Sequence, residues 1–154
     1  MKILSIIFLT LINSKISFSN NIETEELLNK INLPDGFKIS IYANNIENAR
    51  SMSISPSGTV FVGNRKADNV FALKDIDGDG KVDKKYLITD KLKNMPNGVS
   101  YHKGDLYVAE VNKIWLFKDV EYNLKKYDEV GFYPEDPILI SDEFPSDKHH
   151  GWKY

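Results

Sequence analysis

The sequence predicts an all-β protein of the β-propeller type, and three observations carry that reading. Apolar residues alternate with polar ones from Phe37 onward, a strand–turn–strand unit recurs after about fifty residues, and aromatic residues are plentiful. With 8 Tyr, 8 Phe and 2 Trp in 154 residues, the composition leans towards strands. Hydrophobic residues at 42% against 27% charged exclude a disordered chain. A formal net charge of -2 gives no basis for nucleic-acid binding. The length suits one ordinary domain of about 100 to 150 residues.

Residues 1–19 are read as a secretory signal peptide: Lys2, the apolar run Ile3 to Ile12, then polar residues ending in Ser17 and Ser19. That run is half of the roughly 20 residues that span a bilayer, so a stable membrane span is not expected and the mature chain is expected to be exported, periplasmic or secreted. Cleavage after Ser19 removes Lys2 and Lys15, which leaves 18 basic and 22 acidic side chains and a mature charge of -4. No cysteine is present, so neither a disulfide nor a lipidated thiol is available.

Residues 20–36 form a lead-in, with "ETEELLNKI" (Glu23 to Ile31) read as a helix or an ordered segment before the Pro–Gly punctuation of "LPDGF". Residues 37–154 are assigned to the N-terminal part of the propeller. The first strand is "FKISIYA" (Phe37 to Ala43), where Phe37, Ile39 and Ile41 alternate with Lys38, Ser40 and Tyr42. We expect it to be the outer strand with which the N-terminus closes the last blade of a ring. In this chain it has no such partner, and its open edge invites aggregation.

Two copies of a four-strand unit follow. "RSMSISPSGTVFVGN" (Arg50 to Asn64) and "NGVSYHKGDLYVAEV" (Asn97 to Val111) share the order strand, Gly-containing turn, strand, offset by 47 residues before the turn and 46 after it. Third strands are expected at Asn69 to Asp75 and Lys113 to Asp119, and fourth strands at Lys84 to Asp90 and Pro137 to Glu143. Four antiparallel strands in a repeat of this length are the unit of a propeller blade, although an ordinary antiparallel sandwich also has short strands and regular turns. A third copy opens at the C-terminus, where "HGWKY" (His150 to Tyr154) matches "NGVSY" at an offset of 53. Two blades and one further strand do not close a ring, which takes at least about four blades.

Blade geometry places the residues that open the inner strands, Arg50, Asn97 and His150, at one mouth of the central channel. The loops from second to third strand add Asn64, Arg65, Glu110 and Asn112 on the same face. A channel mouth with convergent polar side chains is the expected ligand site. Asn97, within "MPNG", is equally well read as a residue of a tight turn. On the opposite face, "DIDGDGKVD" sets Asp75, Asp77 and Asp79 at alternate positions, then Gly80 and Asp83, in the manner of a calcium loop. Tyr86 stands where such a loop ends in Glu. A calcium-stiffened loop and a solvated acidic turn both remain open, and any metal there is structural.

Histidine is the side chain best suited to take a proton near neutral pH, which draws attention to His149 and His150. The blander reading is a His pair that caps a strand or binds adventitious metal. "LPDGFKISIYA", "ARSMSISPSGTVFVGNR", "DIDGDGKVD", "MPNGVSYHKGDLYVAEVNKI" and "PSDKHHGWKY" together resemble the sorbosone dehydrogenase branch of the soluble glucose (aldose sugar) dehydrogenase family. The resemblance covers Leu33 to Tyr154. It implies an exported six-bladed propeller that holds pyrroloquinoline quinone at the channel mouth and oxidises an aldose or similar substrate, passing electrons to an external acceptor. By the same resemblance His150, just before Gly151 and near Lys153, is the catalytic base, and His149 hydrogen-bonds the substrate. Arg50, Arg65, Asn97 and Glu110 are the remaining candidates for contacts to substrate or cofactor. The basic residues that hold the quinone carboxylates in that family belong to later blades, so this chain by itself is expected to be inactive. Two other classes compete: a propeller that binds carbohydrate or protein without chemistry, and a calcium-dependent lactonase-type propeller.

Overall fold

The computed structural model describes residue 24 and residues 26–146. The signal segment, His149, His150 and the expected third inner strand lie outside the described residues. Two compact units divide the chain between Ile41 and Tyr42. In the first, residues 26–28 are helical, and the Ile31 N–H donates to the Leu28 carbonyl at 3.1 Å, as the lead-in suggests.

The strand expected at Phe37 to Ala43 is not formed, which corrects the sequence reading. Phe37 is 69% exposed. Alternation gives a segment one apolar face, but a strand also needs a neighbour to take its ladder hydrogen bonds, and no described strand pairs with this one.

In the second unit the described residues form eight strands and one helix. One antiparallel sheet runs β1 (Ala49–Ile54), β2 (Val60–Asn64), β3 (Val70–Lys74) and β4 (Lys84–Thr89) in spatial as in chain order. A second repeats that order with β5 (Gly98–His102), β6 (Asp105–Ala109), β7 (Ile114–Phe117) and β8 (Ile138–Ser141). The strands fall within the segments the alternation marks out, except that β1 starts one residue earlier, at Ala49. Register repeats as well: Val60 pairs with Leu73 as Leu106 pairs with Phe117, and each sheet slips register at the start of its third strand, after Val70 or Ile114. The hairpin between β5 and β6 turns on Lys103 and Gly104 at φ 49° and 99°, the two positive values that a tight two-residue turn demands.

Period two decides which side chains meet. Phe61, Ala72 and Tyr86 lie on one face of the first sheet, Leu106, Val108 and Phe117 on one face of the second, and they share a single buried core. The first strands of the two sheets lie side by side: the Tyr101 ring stacks on Phe61 at 5.7 Å, and the Tyr101 N–H donates to Ser53 Oγ at 2.9 Å.

A helix, α1 (Val120–Val130), stands between β7 and β8, where strand patterning alone leaves an irregular connection. Val120, Leu124 and Tyr127 are spaced for one helical face, and Gly131, at φ 82°, ends the helix by donating its N–H to the Tyr127 carbonyl at 2.8 Å. Val120 and Leu124 enter the core, and Tyr127 meets the Tyr86 ring edge-on at 5.2 Å. The helix thereby clasps the first sheet from the second. Ser55 and Ser57 donate to Glu121 Oε1 at 2.6 and 2.7 Å, and Lys84 pairs with Asp128 at 2.9 Å.

That clasp is acid-sensitive. Burial by itself would raise the Glu121 carboxyl, but hydrogen bonds from Ser55, Ser57 and Thr59, with the Lys74 ammonium at 3.2 Å, hold it below its ordinary value. A carboxyl depressed in the folded state adds stability above its unfolded pKa of about 4.3, and that stability is lost as pH falls through the lower folded value. Urea unfolding between pH 7 and pH 3 should show this decline, and Glu121→Gln should flatten it while lowering stability at pH 7. An unchanged acid slope in the variant would remove Glu121 as its source.

Candidate functional site

Antiparallel pairing puts the start of β1, the end of β2 and the start of β3 at one end of the first sheet, and the corresponding parts of β5, β6 and β7 at one end of the second. These ends adjoin. The Asn64 N–H donates to the Pro96 carbonyl at 2.8 Å, and Gly63 passes so close to the 96–97 backbone that a Cβ there would lie 2.3 Å from the Asn97 carbonyl oxygen. Arg50, Asn64, Arg65, Asn97, Glu110 and Asn112 are thus gathered at one end.

Their environments differ. Arg50 and Arg65 are exposed. Asn64 is buried and fully engaged, its Nδ2 donating to the Glu47 carbonyl at 2.6 Å and to Asn69 Oδ1 at 2.9 Å, its Oδ1 accepting from the Lys66 and Ala67 N–H groups. Glu110 is 3% exposed and uses both carboxylate oxygens internally, accepting from the Asn94 N–H and from Trp115 Nε1, each at 2.7 Å. Asn94 Nδ2 in turn donates to Asn112 Oδ1 at 2.8 Å. Glu110 is therefore a brace between two loops. Sequence spacing places it at the right end of the sheet but does not reveal that its acceptor capacity is taken.

Asn97 is the exception. Its side chain is buried, and neither Oδ1 nor Nδ2 has a partner. A buried polar group in that state costs about 1 to 3 kcal/mol, so it marks a position where packing alone does not explain the residue. Asn97→Ala should leave stability within about 1 kcal/mol of the parent or raise it. A clear loss of stability in urea unfolding would mean that ordered water already satisfies the amide.

The acidic loop lies at the other end, joining β3 to β4. Carboxylate oxygens of Asp75, Asp77 and Asp83 come within 4.8 Å of one another. Asp79 lies outside that group, with Oδ1 accepting from the Lys81 N–H at 2.8 Å. Asp75 accepts from the Gly78 and Gly80 N–H groups, which folds the loop through two glycines at positive φ. Tyr86, at the position where a calcium loop carries Glu, instead belongs to the core and contacts Asp128. A cavity of about 180 Å³ beside β4, lined by Thr89, Lys91, Tyr133 and Asp136 among others, is smaller than the 300 Å³ or so typical of ligand pockets.

Fold and site together define the class: antiparallel four-stranded meanders, packed face to face, with buried and exposed polar side chains collected at one end. The chain belongs to the family described as "Domain of unknown function (DUF7133)", which matches residues 23–129, more than half of the chain. It is also 31% identical over 109 residues to a protein of Borreliella burgdorferi described as "Uncharacterized protein". That similarity covers 70% of this chain and 27% of the relative, so the chain spans about a quarter of the relative's length. Among the described residues no helix is long and apolar enough to cross a membrane.

Proposed function

We propose that this chain is the N-terminal part of an exported β-propeller oxidoreductase that oxidises an aldose sugar or a sorbosone-like substrate with pyrroloquinoline quinone. The observation that carries the reading is the side-by-side packing of β1 and β5, which brings Arg50 and Asn97 to the same end of two like sheets. Successive blades around a channel have this relation, with their inner strands adjacent. The remaining support is the collinear resemblance from Leu33 to Tyr154.

The described residues fit the quinone in part. Arg50 and Arg65 supply planar cations suited to carboxylates, and the Asn97 amide retains a donor and an acceptor. Glu110 does not fit, because its carboxylate is already committed. Bound quinone supplies a two-electron acceptor. In this reading His150 takes the proton from the substrate hydroxyl or from a hydrated aldehyde, and His149 orients the substrate by a hydrogen bond.

The longer protein, reconstituted with pyrroloquinoline quinone and calcium, should reduce a dye acceptor with aldoses or sorbosone, and His150→Ala should lower turnover by about 10² or more. No dye reduction in the reconstituted parent would sink the oxidoreductase reading, and unchanged turnover in the variant would sink the base. The committed carboxylate of Glu110 favours a second reading, a propeller that binds carbohydrate or protein without chemistry; saturable glycan or protein binding with no dye reduction would identify it.

A structural calcium ion at Asp75, Asp77 and Asp83 is part of the proposal, since a hard cation needs several oxygen ligands. Calcium should then raise the Tm of the chain, and Asp77→Asn should abolish the rise. Equal Tm values with calcium and with chelator would leave the loop a solvated acidic turn.

A further inference from the structure

Residues 42–48 form neither strand nor helix, yet hydrogen bonds tie them to both ends of the first sheet. At one end the Val82 N–H, in the acidic loop before β4, donates to the Tyr42 carbonyl at 2.8 Å. At the other, Asn64 Nδ2 donates to the Glu47 carbonyl at 2.6 Å and the Arg65 N–H to the Asn48 carbonyl at 3.1 Å. Between them Lys85 Nζ donates to the Asn45 carbonyl at 3.3 Å. Lys85 pairs with Leu73, and their chain neighbours Tyr86 and Ala72 lie in the core, so Lys85 and Leu73 project from the opposite face and the segment crosses on that face.

Burial there is uneven. Val62 and Leu73 are 3% exposed, while Met52 and Ile54, which share their face on β1, stand 69% and 65% exposed. Tyr42, Ala43 and Ile46 of the segment are themselves partly buried. The segment has little slack: from Asn69 to Lys74 a strand advances roughly 17 Å, and the chain from Tyr42 to Asn48 reaches about 20 Å when fully extended. Asn45 and Asn48 take left-handed φ values of 58° and 55°, which use up part of that reach. The Tyr42 hydroxyl also lies near the acidic loop, where burial and the Asp75 and Asp83 carboxylates raise it above its ordinary value.

We propose that residues 42–48 act as a strap that couples the acidic loop to the polar end of the first sheet, so that ordering either end tightens the other. A molecule bound beside Asn64 and Arg65 then firms the acidic loop, and a loop held rigid pre-orders that end, with equal coupling free energy in both directions. That this end takes a ligand rests on the proposed function; the mechanical link does not.

Residue-level hydrogen exchange by NMR on the full chain, without quinone or calcium, tests the strap. Asn64→Ala removes a tie at the polar end and should speed exchange of the Val82 amide, at the far end, at least about threefold. Tyr42→Ala loosens the acidic-loop end and should speed exchange of the Arg65 amide by a similar factor; it removes only a partly buried side chain and decides the matter should Asn64→Ala fail to fold. Amides of β6 in the second sheet should be unchanged in both variants, and both effects should vanish when a glycine triplet inserted after Asn45 slackens the strap. A far-end rate that matches the parent in either folded variant overturns the proposal. Effects that persist in the slackened chain assign the coupling to the sheet itself and overturn it too, as does a rise shared equally by the β6 amides, which marks general loosening. The rates involve neither quinone nor turnover, so failure here is distinct from failure of the proposed activity.

Discussion

Gly63→Ala should destabilise the protein by about 3 kcal/mol, a drop in Tm of roughly 10 °C. Gly63 has no positive φ to protect, so the loss is steric. A Cβ at this position would sit 2.3 Å from the Asn97 carbonyl oxygen, 2.8 Å from that of Pro96 and 2.9 Å from the Asn97 carbonyl carbon, all backbone atoms. None can swing aside as a flexible side chain would, and the Pro96 carbonyl is held by the Asn64 N–H. Separating β2 from the 96–97 segment gives up that hydrogen bond and loosens the junction of the sheets. Gly58→Ala is the control. Nothing lies within 4 Å of its Cβ position, and its φ of 85° alone should cost about 1 to 2 kcal/mol. Thermal unfolding of both variants decides the matter; a Gly63→Ala protein as stable as its parent would mean the 94–97 loop yields freely.

Glu110→Ala should cost about 3 to 4 kcal/mol, because it strands two donors, the Asn94 N–H and Trp115 Nε1, that the carboxylate now satisfies. Glu110→Gln retains one acceptor oxygen and should cost about half as much. Urea midpoints measure the losses, and Trp115 fluorescence should shift to the red as its indole nitrogen turns to water. A residue reserved for a ligand behaves oppositely: its removal leaves stability unchanged or improved. A neutral Glu110→Ala would return Glu110 to the candidates for ligand binding.

These two positions mark how far the sequence could be read. Alternation and turn residues placed all eight described strands of the second unit, because period two reports a one-sided core directly, and the recurrence at 47 and 46 residues paired the sheets. That Arg50 and Arg65 share one end of the first sheet, and Asn97 and Glu110 one end of the second, followed from connectivity, since antiparallel neighbours must alternate ends; that the two ends adjoin is a tertiary fact, seen in the Asn64–Pro96 hydrogen bond. The helix at Val120–Val130 left a weaker mark, three apolar residues at helical spacing before a glycine, within a run of charged residues that reads as a loop.

What the sequence by itself determined, then, is the position and order of the strands in the two sheets, for these depend on side-chain period and turn chemistry within a few residues. Only the tertiary structure decided what each polar side chain does. Glu110 and Asn97 look alike as polar residues at the rim of a sheet, yet one is saturated by Asn94 and Trp115 and the other is buried without a partner. Phe37 to Ala43 has the pattern of a strand and forms none. Hydrogen-bond satisfaction and strand pairing depend on partners distant in the chain, and local pattern carries no information about where those partners will be.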